Sequence, residues 1–162
     1  MFPNKGCIAS RENEVILAAW QLIQGRCVAR CYSEAGYLMT RILLVEDHEE
    51  IWDFLSRRLK RRGFEVVVAT DGQQGVDKAR TERPDVVLLD MNLPILDGWT
   101  AAGLIKSSVE AGRVPIIALT AHAMSGDKEK ALAAGCDDYH PKPIDFAKLL
   151  TQIQALVPSA AA

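Results

Sequence analysis

The chain has 162 residues, 49% of them hydrophobic and 25% charged, which suits one globular domain and argues against wholesale disorder. With 19 Lys and Arg against 21 Asp and Glu, the net charge is −2, so bulk electrostatics do not point to nucleic acid or an anionic membrane. No apolar run approaches the roughly 18–20 residues that span a bilayer. Residues 15–20 are apolar, but they follow Glu12 and Glu14 without a basic lead-in, unlike a signal peptide. Cysteines 7, 27, 31 and 136 are not spaced as a disulfide framework or a zinc site, and a reducing, cytoplasmic location is expected.

Residues 1–40 stand apart. Ser10 is placed to cap a helix over about 11–24, with Val15, Ile16, Ala19, Leu22 and Ile23 on one face. This segment is read either as an extension or as the product of a start codon placed too early, since Met39 lies just before the next element. From Arg41 onward, short β-branched or leucine-rich runs at 42–45, 65–69, 85–89, 115–119 and 137–139 alternate with stretches of helical spacing. This alternation predicts a parallel sheet covered on both faces. The first helix carries Ile51, Phe54, Leu55 and Leu59 on one arc, with Trp52 at its edge. Arg57, Arg58, Lys60, Arg61 and Arg62 make a solvated basic face. Gly63, Gly112 and Gly135 are read as glycines that end helices, and Ser125 and Asp145 as N-caps. In the last helix Phe146, Leu149, Leu150, Ile153 and Leu156 form a core stripe. Residues 158–162 are a tail, and no output domain is expected after them.

In open α/β sheets ligands bind beyond the carboxyl ends of the strands, so the residues there carry the functional reading. They are Glu46 and Asp47 at the end of the first strand, Asp90 at the end of the third with Asn92 following it, Thr120 at the end of the fourth and Lys142 after the fifth. Three carboxylates held close together resist ionisation, and a hard divalent cation relieves this. Adding a hydroxyl and an ammonium gives what an aspartyl-phosphate site requires: a nucleophilic carboxylate, a metal, and donors for the charge that develops during transfer.

Residues 41–157 resemble the receiver domain of two-component response regulators. The resemblance is carried by the LLVED segment at 43–47, VVLLDMNLP at 86–94, LDG at 96–98, ALTA at 118–121 and Lys142-Pro143. It implies a doubly wound, flavodoxin-like (CheY-like) fold of class α/β: a five-stranded parallel sheet in the order 2-1-3-4-5 with five helices. That strand order is a known property of the family, so it comes with the resemblance and not from the spacing of the runs. The resemblance makes Asp90 the phosphoacceptor. Glu46, Asp47, Asp90 and the backbone carbonyl of Asn92 become ligands for Mg²⁺ (or Mn²⁺). Thr120 and Lys142 become the groups that meet the phosphoryl oxygens. Tyr139 becomes the aromatic that turns with Thr120 in the switch, and Lys142-Pro143 a cis peptide.

The segment 120–127 is similar to that of stand-alone regulators of the DivK type and of receivers attached to hybrid kinases. The implied activity is acceptance of phosphate on Asp90 from a histidine kinase or phosphotransfer protein, followed by a changed contact with a downstream protein. No direct nucleic acid or membrane partner is implied, nor an enzyme activity beyond self-catalysed transfer and decay. Ile51, Trp52 and Phe54 are expected at the kinase-docking surface. Asn92 and His122 are expected to tune the lifetime of the phosphate, His122 as either a shield or an uninvolved loop residue.

The alternative is a receiver scaffold that signals without phosphorylation. A dehalogenase-type phosphatase would want Asp at position 92. A flavodoxin would want a Ser/Thr/Gly-rich loop in place of residues 46–50, and a dinucleotide fold lacks its glycine motif. A calcium loop around Asp90 lacks correctly placed Gly and Glu.

Overall fold

The apolar runs become strands whose successive side chains enter two different cores. The computed structural model describes residues 39–108, 111–121 and 127–157. Strands β1 (Arg41–Val45), β2 (Glu65–Ala69), β3 (Val86–Asp90), β4 (Ile116–Thr120) and β5 (Asp138–Pro141) form one parallel sheet in the order β2-β1-β3-β4-β5. Between and after them lie α1 (Glu49–Arg61), α2 (Gly72–Thr81), α3 (Gly98–Ser107), α4 (Asp127–Ala133) and α5 (Phe146–Leu156).

Leu43, Val45, Val87, Leu89, Ile116 and Ala118 pack on one face with Val76 of α2, Ala101, Ala102 and Ile105 of α3, and Ala131 of α4. Ile42, Leu44, Val86, Leu88, Ile117 and Leu119 pack on the other with Leu55 and Leu59 of α1 and Leu149 and Ile153 of α5. Burial on both faces explains why the three central strands read as unbroken apolar runs. Each fully buried Leu or Ile contributes about 1.5–3 kcal/mol of transfer free energy.

The helix ends follow local chemistry. Asp71, Asp97 and Asp145 cap α2, α3 and α5 with side-chain oxygens on backbone N–H groups of the first turn. Gly63 (φ +84°) and Gly135 (φ +95°) end α1 and α4 in the left-handed conformation. The next residue returns a backbone bond in each case, Phe64 N–H to Leu59 O at 3.2 Å and Cys136 N–H to Ala131 O at 2.9 Å.

Three sequence readings need correction. Gly112 does not end α3, which stops at Ser107 with Ser108 as its cap. A Cβ at Gly112 would lie 2.6 Å from both the Lys106 and Ser108 carbonyl oxygens, so close backbone approach calls for glycine there. Phe54 is not in the apolar arc of α1 but 48% exposed, beneath the Arg58 guanidinium at 4.6 Å from the ring centroid. Strands β3 and β4 begin one residue later than the runs at 85–89 and 115–119 and end where expected, with Asp90 paired to Leu119 and Met91 N–H still reaching Leu119 O at 3.1 Å. Asp90 and Thr120 are therefore the last residues of their strands. The expected N-terminal helix and the Ser125 cap lie outside the described residues, and the Lys142-Pro143 bond is cis.

Candidate functional site

The parallel sheet brings the carboxyl ends of β1, β3, β4 and β5 to one edge. Glu46 leaves β1 still held by its N–H to Ala69 O at 3.0 Å, and its side chain is fully buried. Asp90 is 1% and Thr120 3% exposed. Lys142 is anchored by its own N–H to Thr120 O at 2.7 Å, and its Nζ donates to Glu46 Oε2 at 2.8 Å and to Asp90 Oδ2 at 2.9 Å. The other Asp90 oxygen accepts the Asn92 N–H at 3.1 Å. Behind Asp90, the Gly98 N–H donates to Met91 O at 3.1 Å and closes the loop that carries Asn92.

The charges are under-compensated. Burial raises the Glu46 pKa and the neighbouring Asp90 adds to this, while the Lys142 hydrogen bond opposes it. Burial works against the Lys142 charge, but its hydrogen bonds to Glu46 and Asp90 outweigh that and raise its pKa. One ammonium is thus shared by two buried carboxylates. Asp47 Oδ1 is buried and accepts no well-aligned hydrogen bond, although His48 Nδ1 lies 2.8 Å away. His48 Nδ1 also lies 3.1 Å from Glu46 Oε1, and Asp47 above all holds the imidazole pKa above its usual value. Ligand atoms of Glu46, Asp47, His48 and Asp90 lie within 4.8 Å of one another. Three clustered carboxylates that share one ammonium fit a hard divalent cation.

Glu46, Asp47, Asp90 and Lys142 are therefore brought together as the sequence implied, with Thr120 joined to them through the Lys142 main chain. The Asn92 side chain is exposed. Tyr139 is half-buried against the core on the α2–α3–α4 face. Ile51 and Trp52 are half-buried against the opposite core, so of the three docking candidates Phe54 is the exposed one. His122 lies outside the described residues. Sequence reading missed His48: it registered only the charge of the 46–50 loop, although a histidine directly after an acid pair was the available signal.

The described domain resembles known proteins. The family model of the response regulator receiver domain matches residues 42–154. The hybrid signal transduction histidine kinase I of Dictyostelium discoideum is 41% identical over 120 residues, 70% of this chain and 7% of that protein. The transcriptional regulatory protein PrrA of Mycobacterium tuberculosis is 35% identical over 124 residues, 76% of this chain and 52% of PrrA. The chain thus spans about half the length of PrrA and far less of the kinase.

Among solved structures, the receiver domain of the sensor histidine kinase PA1611 of Pseudomonas aeruginosa PAO1 has a magnesium ion coordinated in its active-site cleft. It is 40% identical with a TM-score of 0.70, covering 75% of this chain and 99% of that one. Chemotaxis regulator CheY4 of Vibrio cholerae is 29% identical with a TM-score of 0.69, covering 73% and 98%. Fold, acidic edge and family match converge: the chain belongs to the response regulator receiver domain family.

Proposed function

We propose that Asp90 is a phosphoacceptor, loaded by a histidine kinase or a phosphotransfer protein, and that its modification changes a protein-contact surface. The observation that carries this reading is the Lys142 ammonium shared by the buried Glu46 and Asp90, with the Asp47 carboxylate beside them. In transfer, an Asp90 carboxylate oxygen bonds to phosphorus as the N–P bond of a phosphohistidine breaks, and the leaving imidazole takes a proton from solvent. Glu46, Asp47, Asp90 and the Asn92 carbonyl would hold Mg²⁺ or Mn²⁺, which supplies charge neutralisation to the phosphoryl oxygens. Lys142 already touches Asp90, so its ammonium needs only a short displacement to bond the new oxygens. Thr120 ends the adjacent strand and offers a hydroxyl.

Phosphorylation adds about −1.5 to −2 charges. That charge favours the conformer in which Thr120 and Lys142 close on it, and Tyr139 is the neighbouring aromatic that responds. The receiver unit is residues 41–157, preceded by an extension and followed by a short tail. We place the protein in the cytoplasm, with Phe54 and Trp52 on the kinase-facing side of α1 and His122 as a shield of the phosphate.

Acetyl phosphate with Mg²⁺ should add one phosphoryl group by mass, and Asp90→Asn should abolish it while keeping the fold. Label that persists in Asp90→Asn moves the acceptor elsewhere, and an unlabelled wild type favours a scaffold role.

A further inference from the structure

His140 is a buried ionisable side chain, 1% exposed, two residues before Lys142 and outside the carboxylate cluster. It pairs in register with Leu119 on β4, and its strand lies at the sheet edge. An aliphatic residue would suit that apolar setting, yet both ring nitrogens are used. Nε2 accepts the Asp145 backbone N–H at 3.1 Å, and Nδ1 lies 2.6 Å from Gln152 Oε1.

The partners fix every proton in this chain. A backbone N–H can only donate, so Nε2 carries the lone pair and Nδ1 the hydrogen. The Gln152 amide is oriented independently. Its Nε2 donates to Asp138 Oδ2 at 2.6 Å and to Tyr139 O at 2.9 Å, both of which can only accept. Its Oε1 is thereby turned toward the imidazole.

Lys142 lies inside the loop that these bonds close. The chain leaves β5 just after His140, passes Lys142, and returns to the same imidazole at Asp145, the N-cap of α5. One end of the loop is pinned by the Lys142 N–H to Thr120 O, the other by Asp145 on His140. We propose that His140 is a positioning residue for Lys142: its Nε2 sets the span of the 141–145 loop, and Gln152 on α5 sets the orientation of the ring. This rests on the phosphoacceptor reading, in which Lys142 must meet the phosphoryl oxygens. Displacements of about 1 Å at such a group can cost up to roughly a hundredfold in rate.

Two near-isosteres separate the two bonds. His140→Gln can place an amide oxygen near the Nε2 position and keep the bond to Asp145 N–H. His140→Asn can place an amide N–H near the Nδ1 position, keeping Gln152 and losing the loop. The rate of Asp90 labelling by acetyl phosphate at saturating Mg²⁺ is measured beside Mg²⁺ affinity by calorimetry and Tm. His140→Asn should slow labelling about tenfold with Mg²⁺ affinity nearly unchanged, whereas His140→Gln should stay within about threefold of wild type. Unchanged labelling in His140→Asn would overturn the proposal, as would rates that follow Tm alike in both variants. If the wild type takes no label, the phosphoacceptor reading fails, and the positioning claim is decided by the Lys142 side-chain NMR signals. A shift in the Asn variant only supports it, and equal shifts in both variants refute it.

Discussion

Gly98 and Gly103 lie in the same helix, α3, and substituting each with alanine should move stability in opposite directions. A Cβ at Gly98 would stand 2.2 Å from Asp90 O, 2.6 Å from Met91 Cα and 3.0 Å from the Asp90 carbonyl carbon. Ordinary carbon contacts are about 3.5–4.0 Å, so backbone would have to part by more than about 1 Å. None of these neighbours is a flexible side chain that could swing aside. Overpacking of this kind costs about 1–3 kcal/mol, and the backbone contacts place Gly98→Ala toward the upper end. A better helix residue returns at most about 1 kcal/mol, leaving a net loss of about 2 kcal/mol. At Gly103 a Cβ meets nothing within 4 Å, and Gly103→Ala should gain about 0.5–1 kcal/mol. Urea denaturation measures both, and with m near 1–3 kcal/mol/M the midpoint of Gly98→Ala should fall by about 1 M. The displaced backbone is that of Asp90, the proposed acceptor, so labelling by acetyl phosphate should slow in Gly98→Ala and stay unchanged in Gly103→Ala. Equal midpoints for the two variants would refute the steric argument.

Asp97 accepts the Thr100 N–H at 3.0 Å and its hydroxyl at 2.7 Å, and these bonds hold its pKa below the usual value. Its contribution is therefore present above the unfolded carboxylate pKa and lost as pH falls through the lower folded value. Asp97→Ala should cost about 1 kcal/mol at pH 7 in urea melts, and the cost should shrink in acid. Burial, with smaller help from Asp137, pushes the Cys136 thiol up to about 11 from 9.0. Between these values the unfolded chain loses a proton that the fold keeps, so stability should fall as pH rises. Cys136→Ala should flatten that fall, and native Cys136 should alkylate at pH 8.5 roughly 100-fold slower than in urea, read by peptide mass. Lys142→Met should tighten Mg²⁺ binding several-fold in calorimetry, because the ammonium is held by Glu46 and Asp90, two of the proposed metal ligands, while labelling falls at least about tenfold.

The alternation of short apolar runs with helical stretches was enough to read a parallel sheet, because burial on both faces leaves the central strands as unbroken apolar runs, while the strand order came with the family resemblance. The acidic edge was readable because strand ends in a parallel sheet share one side. What could not be read was a positive φ at a residue other than glycine, close backbone approach, and hydrogen bonding between distant residues. Nothing in His140-Pro141-Lys142 foretells an imidazole that closes a loop onto Asp145, and Gly112 looked like the helix-ending glycines although close approach, with no positive φ, explains it.

Ile95 is the sharpest case. A β-branched residue argues for extended backbone, yet its φ is +67°, and its side chain is 84% exposed. The turn is set by its neighbours: Leu96 N–H reaches Pro94 O at 2.7 Å, and Asp97 must arrive placed to cap α3. A non-glycine residue in this region carries about 1–3 kcal/mol of strain, and an exposed side chain recovers little of it by burial. Asn tolerates the conformation without the unfolded-state entropy of Gly. Ile95→Asn should therefore raise stability by about 1 kcal/mol, Ile95→Gly by less, and Ile95→Val not at all, all read by urea denaturation. Loss of stability in Ile95→Asn would mean that the side chain contributes more than its exposure allows.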